Sequence, residues 1–275
     1  MARLQHTVTV VAVDRDRLHA YAGLVCDLAE STRARGRDIV LPDGRTVPGL
    51  SLVKGDHLRP GARYEPSGTG SDTEELEATV VREWRRGSLV AVEQLVRSPE
   101  LSGRMTLRLR SPERPRSLEA EGRVRGPEGS GSLRRLSGKV SLDLAAWWAA
   151  AALAPGAPTA LHAPATVRLK HRLGVARLQL GPRPAEQGRW YVDVTLTLHG
   201  RLLLRPVAAF ALLLAGVPLR RGFRSSVEQA AERWNETLDR ILAQDLDELR
   251  TEFADYVAKC PDDRAHGADG AREVG

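Results

Sequence analysis

Histidine and cysteine have the widest chemical range of any side chains in this 275-residue sequence, and their spacing is the first thing to test. The histidines are His6, His19, His57, His162, His171, His199 and His266. No two of them stand at helical ligand spacing with a carboxylate between, the arrangement that grips zinc. Cys26 and Cys260 form neither a metal pair nor a disulfide framework. No metal is therefore expected, and nothing calls for a cofactor. The sequence has no Gly-x-Ser-x-Gly elbow, no phosphate loop and no dinucleotide fingerprint. A hydrolytic triad assembled from distant residues stays open, because triads are recognised by geometry and not by motif. His171 falls on the apolar side of an alternating segment. A neutral histidine satisfied in the core is the plainer reading, and a general base in a cavity the sharper one. No catalytic residue is assigned, and whether the protein is an enzyme is left open.

Apolar residues carry more information. Trp147 and Trp148 stand side by side in a chain that is only 4% aromatic. Neighbours on a helix point about 100° apart, so one packs inward and the other is free to line a cavity or meet a surface. Trp148 is the candidate ligand contact of the two. Residues 206–219 are apolar on nearly every side, with a proline near each end, and Arg201, Arg205, Arg220, Arg221 and Arg224 flank them. Such a segment must be buried or must touch something apolar. A core helix, a lid over a cavity and a monotopic membrane contact are its three readings. Phe210 and Leu213 within it are candidate ligand contacts.

Positioning these residues requires a sheet and a long helix. Residues 5–13 read as a strand rich in Val and Thr, and Asp14 caps a helix with an apolar face through Leu18, Tyr21, Val25 and Leu28. Arg33 and Arg35 are expected in its last turn, with Gly36 closing it. A hairpin around Pro42-Asp43-Gly44 follows. From Leu76 onward the period is 2, as in Met105, Leu107 and Leu109 against Arg104, Arg108 and Arg110. The same alternation recurs around Leu118, Val140, Val167 and Val192. Period 2 puts apolar side chains on one face and polar ones on the other, the antiparallel pattern. A short helix over residues 145–153 interrupts the sheet. A capping box of Ser225 with Glu228 opens a final helix of some 33 residues, with Val227, Ala231, Trp234, Leu238, Leu242, Leu246 and Leu249 at spacings of three and four. Ala231, Trp234 and Leu238 on that stripe are candidate ligand contacts. The expectation is an α+β fold: a curved, largely antiparallel sheet of ten or eleven strands packed on a long C-terminal helix. One domain spans residues 1–260, the strands between 111 and 187 look inserted, and residues 261–275 form a disordered tail.

Bulk numbers agree with a globular chain: 42% apolar, 28% charged, formal net charge +6. Residues 227–259 carry nine acids against four bases, a net of −5, so the rest of the molecule is strongly basic. Arg104, Arg108, Arg110, Arg123, Arg125, Arg168, Arg172 and Arg177 fall mainly on the polar sides of strands. The residues between them are Thr, Glu and Gln, not the aromatics that stack bases. A solvated face ranks first, an anionic membrane surface second and nucleic acid last. The first fourteen residues lack a basic region followed by an apolar run, and the apolar stretch at 206–219 is too short to span a bilayer. The cytoplasm is the expected location.

Both ends of the chain resemble the START-like, helix-grip superfamily of lipid-transport and polyketide cyclase/dehydrase proteins. The similar parts are the first strand running into a helix over residues 7–30, the last strand over 190–199, and the passage Gly200-Arg201-Leu202-Leu203-Leu204-Arg205-Pro206 into the closing helix. The resemblance implies a curved sheet gripping the long helix, with an apolar cavity between. Its members bind lipids, sterols, polyketides or hormones, and some catalyse cyclisation or dehydration. The superfamily has no universal catalytic residues, so none is carried over. The expected function is the holding of an apolar small molecule such as a lipid, polyketide or isoprenoid, as carrier or accessory protein. A helix-mediated interaction module, including a homodimer, and a cyclase-type enzyme are the alternatives.

Overall fold

Side-chain alternation builds most of this molecule, because each strand can bury only one of its faces. The structure is a computed structural model and describes residues 2–67, 76–126, 135–153, 162–200 and 216–259. Phe210, Leu213, all of residues 206–215 and the tail from 260 lie outside the described residues. In chain order the elements are β1 (Ala2–Val11), α1 (Arg15–Ser31), β2 (Arg33–Arg35), β3 (Asp38–Val40), β4 (Thr46–Lys54), β5 (Arg63–Glu65) and β6 (Leu76–Arg85). Then come β7 (Leu89–Arg97), β8 (Ser102–Arg110), β9 (Ser117–Arg125), β10 (Arg135–Asp143), α2 (Leu144–Ala151), β11 (Ala165–His171), β12 (Gly174–Pro184) and β13 (Arg189–Gly200). Two helices close the described chain, α3 (Gly216–Ala243) and α4 (Leu246–Ala258).

The class is α+β, with a single curved antiparallel sheet of 13 strands. Strands β2 to β13 run as a meander, each paired with the next, and β1 adds to the outside of β13. The sheet has more strands than the ten or eleven expected. The excess includes β2 and β5, each three residues long and too short to show a period, whereas β3 and β4 form the hairpin expected around Pro42-Asp43-Gly44.

Two helix boundaries differ from the expectation. Asp14 does cap α1, accepting from the N–H groups of Asp16 and Arg17. However, α1 ends at Ser31, where the Thr32 hydroxyl donates to the Ala29 carbonyl at 2.6 Å. Arg33 and Arg35 therefore lie in β2, and Gly36 turns the β2–β3 hairpin at φ +64 instead of stopping a helix. The expected single closing helix is two. Ser225 sits inside α3, and the break falls at Gln244 and Asp245. Asp245 opens α4 with a capping box, its carboxylate accepting from the Asp247 and Glu248 N–H groups while Glu248 accepts from the Asp245 N–H. From α1, Arg17 donates to the carbonyls of Leu242 and Gln244, and Tyr21 donates to that of Ile241 at 3.1 Å. These donors occupy carbonyls that the end of a helix leaves unpaired, so the break is fixed from both sides.

The buried residues form two clusters. One joins Ile39, Leu41, Val47, Leu52, Ala62, Tyr64 and Val81 of β3–β6 and their connections, with Leu28 of α1 and Val257 of α4 packed on it. The other joins Val10, Val13, Trp190, Val192, Val194 and Ala231, with α2 and α3 packed on it. Helix α3 docks along β1, whose outer edge pairs with no strand among the described residues. The Val11 N–H donates to the Asn235 side chain at 2.8 Å, and Trp234 Nε1 donates to the Val11 carbonyl at 3.0 Å. The helix thereby covers an edge that would otherwise template further pairing.

A candidate apolar cavity

Between α3 and the last strands lies a cavity of about 580 Å³. Val8 and Val10 of β1, Val192, Val194 and Leu196 of β13, Ala176, Leu178 and Leu180 of β12, and Val167 and Leu169 of β11 make its floor. These residues share one face because the strands pair in register: Val8 opposite Val192, Leu180 opposite Val194, and Val167 opposite Leu178, which itself faces Leu196. Helix α3 supplies the roof through Phe223, Ser226, Val227, Ala230, Ala231 and Trp234, and Trp147 of α2 closes one end. The roof stripe follows from the three-and-four spacing of these residues along α3. Among the described lining residues Ser226 brings the only hydroxyl, and none is charged.

Ionisable groups of β1 and α3 stand beside the lining residues. His6 lies opposite Val194 in β1, and its Nε2 is 3.2 Å from Glu228 of α3. Arg224 donates to the same carboxylate at 2.8 Å. The Arg224 guanidinium, with a smaller contribution from His6, holds the Glu228 carboxyl below its ordinary range.

Of the candidate contacts chosen on sequence grounds, Ala231 and Trp234 line the cavity, and Leu238 packs on the same cluster one turn further along α3. Trp148 points to the corner between β1 and α1. Its Nε1 donates to the Val13 carbonyl at 3.2 Å, His19 meets its ring edge-on, and Arg15 lies over the ring. Its neighbour Trp147 is the one that reaches the cavity, with its ring 5.8 Å from that of Trp190. His171 is half-buried at the end of β11, on the apolar side, away from the lining; its Nδ1 accepts the Leu173 N–H at 3.3 Å. Sequence reasoning missed Trp147, Phe223 and the whole strand-borne floor. The alternation that marks the floor was visible, but its assembly into one wall depends on strand order.

A second histidine cluster lies at the opposite end of the sheet. His57 Nε2 is 2.8 Å from the Thr32 hydroxyl, and its Nδ1 is 2.9 Å from the Tyr64 hydroxyl. The Thr32 hydroxyl donates to Ala29, so it accepts from His57, which leaves Nδ1 to accept from Tyr64. Burial lowers the His57 pKa and raises that of Tyr64. Both ring nitrogens are occupied, and the network pins a connection in which Leu58 has φ +55 and Tyr64 accepts the Leu58 N–H. This is a structural clasp.

The apolar face continues beyond the cavity. Leu107, Ala120, Val140 and Val167 are successive register partners from β8 to β11. Leu169 is 42% exposed, Val140 37%, Leu107 36% and Met105 45%, so this stretch is an apolar strip open to contact.

No protein-family model, curated protein or solved structure matches the chain. Among the described residues, no helix is long and apolar enough to cross a membrane.

Proposed function

We propose that this protein binds an apolar small molecule, a lipid, polyketide or isoprenoid, in the cavity between the sheet and α3, as a carrier or accessory protein. The observation that carries this reading is the cavity itself: about 580 Å³ with walls of Val, Leu, Ala, Phe and Trp. That volume lies within the range of small-molecule sites. Protein interiors are otherwise close-packed, and an apolar wall left without partners loses both dispersion and burial free energy, which a hydrocarbon guest restores. The exposed apolar strip running on through Val140 and Leu107 favours a linear chain over a compact ring. The strand order, with the first strand outside the last and a terminal helix over them, supports a helix-grip arrangement with an enlarged sheet.

The alternatives have less behind them. The outward side of α3 carries Glu232, Arg233, Glu236, Asp239 and Arg240, all exposed, and offers no apolar stripe to a partner helix. A cyclase would need an acid or base against its substrate, and here His6 and Glu228 stand only beside the lining residues.

Titration with an environment-sensitive apolar dye tests the proposal, with Ala176→Phe as the variant that fills the cavity from its floor. Wild type is expected to bind with a blue-shifted emission, and the variant to lose most of the binding while keeping its fold. Dye binding that is equal in both proteins, or absent from wild type, would contradict the reading.

A further inference from the structure

The polar face of the same strands carries a second, differently built concavity. Its volume is about 370 Å³, and its walls are Lys139 and Ser141 of β10, Thr166 and Arg168 of β11, Val175 and Arg177 of β12, and His199 of β13. Lys139 lies directly opposite Arg168, and Arg168 directly opposite Arg177. Three permanent positive charges thus stand in one cross-strand row, spanning roughly 10 Å at the usual strand spacing. Like charges in direct register destabilise a sheet. None of the three makes an ion pair with a described residue, whereas Arg82, Arg183 and Arg224 all do. Among the described residues no carboxylate lines the pocket, and Ser141 and Thr166 add hydroxyl donors.

We propose that this pocket binds a small phosphorylated molecule through its phosphoryl groups. Guanidinium forks match phosphoryl oxygens in pairs, and the charge-assisted bonds offset the repulsion that the row bears without a ligand. Acids also stand on both flanks of the row. Glu121 on β9 faces Lys139 across the row and pairs with Arg123 at 3.5 Å, and on the other flank Asp193 of β13 is held by Arg183. Those acids disfavour a broad anionic surface such as a bilayer or a nucleic-acid strand, and among the described residues no Phe, Tyr or Trp lines the pocket to stack a base. Arg168 alternates with Val167 and Leu169, and Arg177 with Ala176 and Leu178, so one pair of strands serves both concavities. The proposal rests on the row alone and stands or falls separately from the apolar cavity.

Isothermal titration calorimetry with inorganic pyrophosphate at low ionic strength tests it. Wild type is expected to bind, Arg168→Gln and Arg177→Gln each to weaken binding about tenfold or more, and Arg35→Gln at the far edge of the sheet to leave it unchanged. Both row variants are expected to be folded without ligand, with melting temperatures equal to or about 1–3 °C above wild type, because each removes a repulsion. The absence of pyrophosphate binding by wild type, or unchanged affinity in both row variants, overturns the proposal. So does binding of phosphatidylglycerol vesicles or of a single-stranded oligonucleotide without any binding of pyrophosphate.

Discussion

The two ends of this sheet solve the same packing problem in opposite ways. At the β3–β6 end, large side chains fill the space under α1 and α4: Ile39, Leu41 and Tyr64 are almost fully buried, and Leu28, Trp84 and Val257 pack on them. At the β1–β13 end, small residues face one another across the gap. Ala176 and the valines at 8, 10, 192 and 194 lie below, and Ala230 and Ala231 above, and about 580 Å³ stays open. Both ends are held by polar clasps to a helix. The Thr32–His57–Tyr64 network and the Arg86 contacts to Asp27 and Glu30 hold one, and the Asn235 and Trp234 bonds to β1 hold the other. The helices are secured at both ends, so residue size beneath them decides which end is core and which is cavity.

Truncating one side chain at each end and following urea denaturation separates a filled end from an open one. Ile39→Ala is expected to cost about 2–5 kcal/mol, as a close-packed site does. Leu178→Ala is expected to cost less than half as much, because one side of Leu178 already faces the cavity and lacks packing partners to lose. Equal losses would show that the cavity end is packed like the core.

A smaller effect separates wall from clasp. Trp234 lines the cavity, yet it is 44% exposed and donates to the Val11 carbonyl. Trp234→Ala is expected to cost roughly 1–3 kcal/mol, less than the Phe/Trp→Ala range of a full core site. Trp234→Phe should recover most of the packing and leave only the lost hydrogen bond. A variant with unchanged stability would place the indole outside the wall.

The smallest effect is a pH dependence confined to the filled end. Burial lowers the His57 pKa from its ordinary value of about 6.5. The folded state therefore favours the neutral ring, and its contribution is present above the unfolded pKa and fades as pH falls through the folded one. Melting temperature is expected to decline from pH 7 toward pH 5, before the Asp43, Asp193 and Glu228 carboxylates, all lowered by their arginine partners, begin to protonate. His57→Gln, which keeps a donor and an acceptor in place, should flatten that decline. An identical slope in the variant would assign the effect elsewhere.

How much of this was legible in the sequence depends on the range of the signal. Period 2 in the long strands marked the sheet and its two faces, and the stripe through Val227, Ala231, Trp234 and Leu238 marked the roof. The break between α3 and α4 was written in Asp245 and Glu248, but the apolar spacing runs on through Leu242, Leu246 and Leu249, and Ser225 with Glu228 has the same form. Only the Arg17 and Tyr21 donors from α1 decide between the two caps, and such long-range partners leave no local trace. The 100° rule said that Trp147 and Trp148 diverge, but which of them reaches the cavity depends on how α2 lies over β12. The cation row was invisible for a similar reason: Lys139, Arg168 and Arg177 are ordinary polar-face residues until pairing sets them in line.

The claim that the open end is a binding site is tested most directly by native mass spectrometry of wild type and Ala176→Phe, each mixed with a series of fatty acids of increasing chain length. Wild type is expected to form a one-to-one complex that strengthens with chain length as more of the exposed apolar strip is covered, and the variant to lose it. No retained fatty acid in wild type, or equal retention in the variant, would contradict it.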